Sequence, residues 1–184
     1  MLLKAARSQL LVVDVQARLM PAIHDAAAVL ARIGILLKSA GRLGVPVTVT
    51  EQYPKGLGPT LPEILDALPR DTLVLPKTSF SGFGDPAVAE RISTLRSAGR
   101  DQVVICGAEA HVCVLQTAIE LHTAGLAAVV AGDAVSSRAP ASVSAACARL
   151  LHAGCHWVTA EMVVFEWLER ADTDDFRALS ALLR

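Results

Sequence analysis

The sequence has few aromatic residues and almost no excess of charge of either sign. Aromatic residues make up 4% of the 184 residues, and the formal net charge at pH 7 is −1. Lysine and arginine are not clustered, whereas a surface that binds phosphates needs concentrated positive charge. We therefore expect no nucleic-acid partner.

Long hydrophobic runs are also missing, although 53% of the residues are hydrophobic. The longest runs, such as LLVV and LAAVVA, are far too short to cross a bilayer. At the amino terminus, no small-residue cleavage site follows a long apolar segment, so we expect no signal peptide and no membrane association. The length predicts a single domain over residues 1–184. The spacing of the cysteines suits a reducing compartment, so we expect the protein in the cytoplasm.

Several site motifs are absent as well. The four cysteines contain no CxxC pair and no zinc-like spacing with histidine, and their spacing suits a reducing compartment better than a disulfide scaffold. SGFGD lacks the phosphate-loop pattern, and GAEAH lacks GxGxxG. We expect no metal and no cofactor. The cysteines are Cys106, Cys113, Cys147 and Cys155.

What the sequence does contain is an alternation of two patterns. Short, continuous apolar runs predict strands that are covered on both faces, at 9–15, 45–50, 72–76, 102–107, 127–133 and 156–160. Amphipathic segments of helical length lie between them, at 26–44, 85–99, 112–125 and 140–154. This alternation predicts a doubly wound α/β fold with right-handed crossovers. One or two more helices are expected after residue 164, with Thr173 as a cap.

In such a fold, ligands bind beyond the carboxyl ends of the strands. Asp14 and Lys77 each follow a predicted strand, and Cys113 lies in the turn GAEAHVC that leads from strand to helix. The first turn of a helix favours an anion, so we expect the thiol pKa of Cys113 to be lowered. The free N–H groups of that turn can hold an oxyanion. These three residues are therefore the candidate catalytic residues.

Each candidate also has an ordinary structural interpretation. Asp14 can accept hydrogen bonds in a turn, Lys77 can be solvated, and Cys113 can be a small buried residue. Cys106 lies inside an apolar run and is predicted to be core. His111 is expected to line the pocket rather than to act as a base. The other candidates for the substrate pocket are Gln16, Tyr53, Phe80 and Phe83.

Five separated segments together resemble the isochorismatase-like cysteine hydrolases. They are LLVVDVQARLMPAI, VPVTVTEQYPKGLGPT, LPKTSFSGFGDP, VVICGAEAHVCVLQTAIEL and GDAVSSRAP. The segments fall in one order from about residue 8 to about residue 170. EQYPKGLG, EAHVCVLQT and the EMVVFEWL tail are similar to the small isochorismatase domain-containing members.

The resemblance implies a three-layer α/β/α fold with a six-stranded parallel sheet. It implies an Asp–Lys–Cys triad at Asp14, Lys77 and Cys113, and a cis peptide bond between Ala108 and Glu109. The N–H groups of Glu109 and Cys113 would then form an oxyanion hole. The implied activity is hydrolysis of a small amide or related carbonyl compound through a thioacyl intermediate, and the implied assembly is a homo-oligomer.

Two departures from the family's better-known activities narrow the expected substrate. The nicotinamide-hydrolysing members resemble one another in a metal site of Asp and His after the second strand, and TEQYPKGLGPT contains no His. True isochorismatases lack the nucleophilic cysteine, which is present here. Neither activity is therefore expected.

Three alternatives to a hydrolase stay open from the sequence. The chain could be a partner-binding module on the same fold, with a triad that catalyses no reaction. Cys113 could be a redox thiol that forms a sulfenic acid. The protein could bind a nucleotide. In the tail, Phe165 and Trp167 suggest an oligomer contact, although they could also cap the core.

Overall fold

Six parallel strands form one sheet in the computed structural model, which describes residues 1–183. The sheet order is β3-β2-β1-β4-β5-β6, and every neighbouring pair is parallel. The chain winds outward in both directions from the β1–β4 pair, which creates a crevice at the carboxyl ends of these two strands. The strands are β1 (Ser8–Val13), β2 (Val47–Gln52), β3 (Leu73–Lys77), β4 (Gln102–Ala108), β5 (Ala127–Ser136) and β6 (His156–Val158).

The helices lie on both faces of this sheet, as in a three-layer sandwich. They are α1 (Ala26–Leu43), α2 (Pro54–Leu57), α3 (Pro62–Leu65), α4 (Pro86–Ser97), α5 (Leu115–Thr123), α6 (Pro140–His152), α7 (Ala160–Leu168) and α8 (Asp174–Ser180). Along β1, Leu10 and Val12 pack in the core cluster that contains residues of α1 and α7. Leu11 and Val13 pack in the cluster that contains residues of α4, α5 and α6. The alternation of a strand thus divides one apolar run between two cores.

This architecture confirms the predicted α/β/α fold with a six-stranded parallel sheet. The main difference lies in β5, which runs three residues past its predicted end, to Ser136. The pairing of β4 with β5 changes register between Ile105 and Gly107, and resumes with Gly107 opposite Val135. Val135 and Ser136, at the end of β5, pair with β4 only beyond this irregularity, so the apolar run that predicts the strand stops before them.

The tail forms two helices, α7 and α8, but α7 begins at Ala160, before the predicted start after residue 164. Thr173 caps α8, since its Oγ1 accepts a hydrogen bond from the N–H of Phe176 at 3.1 Å. Trp167 is buried, and its Nε1 donates to Ser8 Oγ at 2.9 Å. It therefore belongs to the core of its own chain, whereas Phe165 is partly exposed beside Phe176. Within residues 1–183, every helix is too short or too polar to cross a membrane.

Candidate active site

Asp14 and Lys77 form a buried ion pair at the carboxyl end of the sheet. Lys77 Nζ lies 2.8 Å from Asp14 Oδ2, and neither side chain is exposed to solvent. Asp14 comes directly after β1, where its backbone has φ 52° and its N–H donates to Thr50 O at 3.1 Å. The other carboxylate oxygen, Oδ1, accepts from Thr50 Oγ1 at 2.7 Å. Strands β1 and β2 together therefore fix the carboxylate.

The Lys77 ammonium group is surrounded by oxygen atoms. Besides Asp14, it contacts Gln52 Oε1 at 2.6 Å and the carbonyl oxygens of Ser79 and Phe80, both at 3.2 Å. An ammonium group has only donors, so four acceptors fit its charged form and leave it no role as a proton acceptor. Lys77 is a fixed positive charge at the site.

Cys113 lies in a π-helical turn, Ala110–Val114, that joins β4 to α5. Before this turn, Gly107 has φ 115°, and a Cβ atom at this position would lie 2.0 Å from Val13 O. Only glycine fits there, which lets β4 run close against β1. The peptide bond between Ala108 and Glu109 is cis, at the position that the family resemblance implies.

A hydrogen-bond bridge joins the cysteine turn to the loop after β3. The carbonyl of Cys113 accepts from Thr117 Oγ1 at 2.6 Å, and the N–H of Gly82 donates to the same hydroxyl at 2.7 Å. The loop that supplies Lys77 with its carbonyl acceptors is thereby tied to the turn that carries the thiol.

The pKa of the Cys113 thiol is raised to about 12, mainly by burial. The negative charge of Asp14 and a hydrogen bond to it raise this pKa further, and the Lys77 ammonium lowers it. Our expectation of a lowered pKa was therefore wrong, because burial outweighs the helix terminus and Lys77. The thiol is neutral at pH 7 and lies beside a carboxylate that can accept its proton.

A cavity of about 100 Å³ opens onto Cys113. Its lining combines the polar groups of Asp14, Gln52 and Glu109 with four apolar side chains, those of Leu19, Leu57, Phe80 and Val112. A water molecule takes about 30 Å³ in the liquid. The cavity therefore has room for a group of only a few non-hydrogen atoms next to the thiol.

Of the five side chains predicted to bind substrate, only Phe80 lines this cavity. Gln16 is fully buried and binds backbone groups of Gln52 and Gly58. Tyr53 is 56% exposed, and Phe83 packs against the core on the α4 side. The Nδ1 of His111 lies 2.9 Å from Ser137 Oγ, and the ring faces a separate groove beside α5.

Glu109 sits at the edge of the cavity and is paired with Arg138. One carboxylate oxygen of Glu109 accepts from the Nε and from the backbone N–H of Arg138, at 3.0 and 3.1 Å. Glu109 is largely buried, whereas the Arg138 side chain is 65% exposed. This pair ties the cysteine turn to the segment after β5.

Sequence reasoning missed the contacts of Gln52 and Thr50 with the ion pair. Gln52 ends β2 and is not among the residues proposed from the sequence for the site. Its contact with Lys77 follows from the neighbouring register of β2 and β3, in which Gln52 lies opposite Lys77. The sequence did contain a signal for these contacts. Thr50 and Gln52 are two residues apart in one strand, so their polar side chains point to the same face of the sheet.

The remaining cysteines lie away from this cavity. Cys106 and Cys155 are buried, and burial raises the pKa of both thiols. Cys147 is partly exposed on α6. Among residues 1–183, no group of three or more His, Cys, Asp or Glu side chains is placed to hold a metal ion.

The sequence matches the model of the Isochorismatase domain over residues 8–162. The chain belongs to the isochorismatase family. Isochorismatase domain-containing protein 2 of Danio rerio is 36% identical to it over 178 residues, which cover 96% of this chain and 86% of the relative. The resemblance found in the sequence motifs is thus confirmed, and it places the chain in a family of hydrolases.

Two solved structures share the isochorismatase fold of this chain. The MAR1 ribonuclease from Caenorhabditis elegans is 32% identical, with a TM-score of 0.92 over 100% of this chain and 92% of that one. The YcaC gene product of Escherichia coli, described as an octameric hydrolase of unknown specificity, is 22% identical. Its TM-score is 0.90, over 99% of this chain and 89% of that one. At that identity, the likeness to YcaC speaks for the fold alone.

Proposed function

We propose that the protein is a cysteine hydrolase that cleaves a small amide or a related carbonyl compound. The observation that carries the proposal is the burial of the Cys113 thiol at a cavity wall beside the Asp14–Lys77 pair. A nucleophile next to a base that is held by a third group is the arrangement of known covalent hydrolases. The proposal keeps Asp14, Lys77 and Cys113 as the catalytic residues.

In the first half of the reaction, the Cys113 sulfur attacks the carbonyl carbon while Asp14 accepts the thiol proton. The negative charge then moves to the carbonyl oxygen, which the N–H groups of Glu109 and Cys113 hold. When the tetrahedral intermediate collapses, the C–N bond breaks and Asp14 returns the proton to the leaving amine. A thioester on Cys113 remains.

In the second half, water attacks the thioester carbon and Asp14 accepts a proton from that water. Collapse breaks the C–S bond and releases a carboxylic acid, and the proton returns to the sulfur of Cys113. Lys77 keeps its charge throughout, orients Asp14, and offsets the negative charge that forms on the sulfur. The neutral resting thiol supports this concerted use of Asp14.

The cavity favours a short acyl group. Its volume of about 100 Å³ and its four apolar lining residues suit a neutral group of a few non-hydrogen atoms. We therefore expect short aliphatic primary amides and ureido compounds to react faster than aromatic amides. Replacing Leu57 by alanine should extend the accepted length, because Leu57 lines the cavity and is the last residue of the short helix α2.

The test is ammonia release from a panel of amides and ureido compounds by the wild type and two single variants. Cys113→Ala should lose turnover, whereas Cys147→Ala should keep it, because Cys147 lies on α6 away from the cavity. Equal turnover by wild type and Cys113→Ala would remove the cysteine from the mechanism. RNA belongs in the panel because the Caenorhabditis elegans relative is called a ribonuclease. We expect no RNA cleavage, since a nucleotide exceeds the cavity.

If the wild type hydrolyses nothing while Cys113 still reacts with alkylating reagents, the partner-binding alternative gains support. A sulfenic acid on Cys113 under mild peroxide, again without hydrolysis, would instead support the redox alternative. We also propose that the protein is a homo-oligomer. Sedimentation analysis tests this, and a monomer at all concentrations would contradict it.

A further inference from the structure

Gln52 contacts Lys77 and is itself held at both ends of its side chain. Its Oε1 accepts from Lys77 Nζ at 2.6 Å, the shortest of the four contacts of that ammonium group. Its Nε2 donates to the carbonyl of Thr78 at 2.9 Å. Gln52 also lines the cavity. Its shortest polar contact in the site is nevertheless the one with Lys77, so an effect of Gln52 on the chemistry can pass through this ammonium group.

Gln16 fixes the backbone of Gln52. The side-chain amide of Gln16 accepts from the N–H of Gln52 at 2.8 Å and donates to its carbonyl at 3.0 Å. A second hydrogen of the same Nε2 goes to Gly58 O at 2.7 Å. The fully buried amide thus pairs with the end of β2 as a neighbouring strand would. Because Gln16 lies two residues after Asp14, the contacts run from Asp14 through Gln16, Gln52 and Lys77 back to Asp14.

We propose that Gln52 is a positioning residue that holds the Lys77 ammonium beside Cys113, and that Gln16 in turn holds Gln52. The inference deepens the proposed function, since it explains how the fixed charge of the triad is placed. It also assigns Gln16 a role through Gln52 rather than through contact with substrate.

A neutral side chain at position 52 matters for the charge of the site. Asp14 and Lys77 carry opposite charges, so the pair is neutral as a whole. An amide oxygen holds the ammonium without adding a second negative charge near the thiol. A carboxylate in its place would make the site negative, disfavour the thiolate of Cys113, and compete with Asp14 for Lys77. It would also face the carbonyl of Thr78 without a hydrogen to donate.

The test measures alkylation of each cysteine by iodoacetamide at about pH 8, read by peptide mass spectrometry, and needs no substrate. Gln52→Glu should slow the labelling of Cys113 by about tenfold or more, because each unit of thiol pKa changes the thiolate fraction tenfold. Gln52→Asn keeps a neutral amide but shortens its reach, and should slow Cys113 by several-fold. The matched control is Gln116→Glu, the same change at an exposed position of α5, which should leave Cys113 unaffected.

Two results would overturn the proposal. One is an unchanged rate at Cys113 in both Gln52 variants. The other is faster labelling of Cys113 together with the buried Cys106, accompanied by a lower melting temperature, which would indicate a merely structural role. The Gln52→Asn variant decides the question if Gln52→Glu does not fold. Failure of the proposed hydrolysis would show in the amide panel and leave this labelling result intact.

Discussion

Strand β4 and the turn after it carry two buried cysteines with different surroundings. Cys106 lies within the strand, and its thiol, a weak donor, donates to the carbonyl of Leu11 at 3.8 Å. Cys113 lies seven residues later, beside Asp14 and Lys77 at a cavity wall. Burial raises the pKa of both thiols. Burial alone makes a thiol inert, whereas a neighbouring base and a fixed cation can make a buried thiol usable.

The largest expected effect is a loss of amide hydrolysis when Cys113, but not Cys106, is replaced by alanine. Cys113→Ala should abolish amide hydrolysis and leave the fold intact. Cys106→Ala should keep hydrolysis and lower the free energy of unfolding by about 1 kcal/mol, since it removes one small buried group. Ammonia release and urea unfolding measure the two quantities. Loss of hydrolysis in Cys106→Ala at unchanged stability would contradict the claim that Cys106 takes no part in catalysis.

A second large effect should follow from removing the base. Asp14→Asn should lower kcat by about a hundredfold to ten-thousandfold, because general-base catalysis contributes about that much. It should also lower the free energy of unfolding by about 3–5 kcal/mol, because it leaves the Lys77 ammonium buried without its counter-ion.

The matched control for this change is Asp25→Asn. Asp25 also has a left-handed backbone, with φ 51°, but its side chain is exposed and makes no capping hydrogen bond. Its substitution should affect neither quantity. If Asp14→Asn kept the kcat of the wild type, the thiol proton would have to leave by another route.

The pH dependence of labelling gives an intermediate effect. Because the pKa of Cys113 is raised to about 12, its rate with iodoacetamide should rise by about tenfold per pH unit up to about pH 9, without a plateau. Cys106 should stay unlabelled in the folded protein, since no solvent reaches it. A plateau for Cys113 below pH 8 would indicate a thiolate at rest, as the helix-terminus argument first suggested.

How far the sequence could predict this site follows from particular residues. The apolar runs predicted six strands. Because ligands bind beyond the carboxyl ends of parallel strands, the runs also predicted that Asp14, Lys77 and Cys113 lie at one crevice. The sign of the thiol pKa could not be predicted, because it depends on how deeply Cys113 is covered by residues from three other segments. Gln52 was missed for a similar reason, since its contact with Lys77 requires the side-chain directions of two neighbouring strands.

The last expected effect is a loss of stability in alkali. A thiol whose folded pKa is raised stabilises the fold fully below its unfolded pKa, near 9.0, and this contribution is lost as pH rises towards the folded value. The free energy of unfolding should fall by at most about 1.4 kcal/mol per pH unit for each of Cys106 and Cys113 above about pH 9. Urea unfolding at about pH 8 and pH 10 measures the fall.

Between these two pH values, Cys106→Ala and Cys113→Ala should each lose less free energy of unfolding than the wild type, and Cys147→Ala should lose as much. A fall of the same size in the wild type and in both variants would assign it to other groups.

The most direct test of the thioacyl mechanism is to quench the reaction during turnover of a short amide and to measure the masses of the cysteine-containing peptides by mass spectrometry. The mechanism predicts an acyl adduct on the peptide that carries Cys113, with the mass of the amide minus ammonia. It predicts no adduct at Cys147 or Cys155. The adduct should disappear when the substrate is exhausted. Steady turnover without any adduct at Cys113, or turnover that persists in Cys113→Ala, would contradict the thioacyl mechanism.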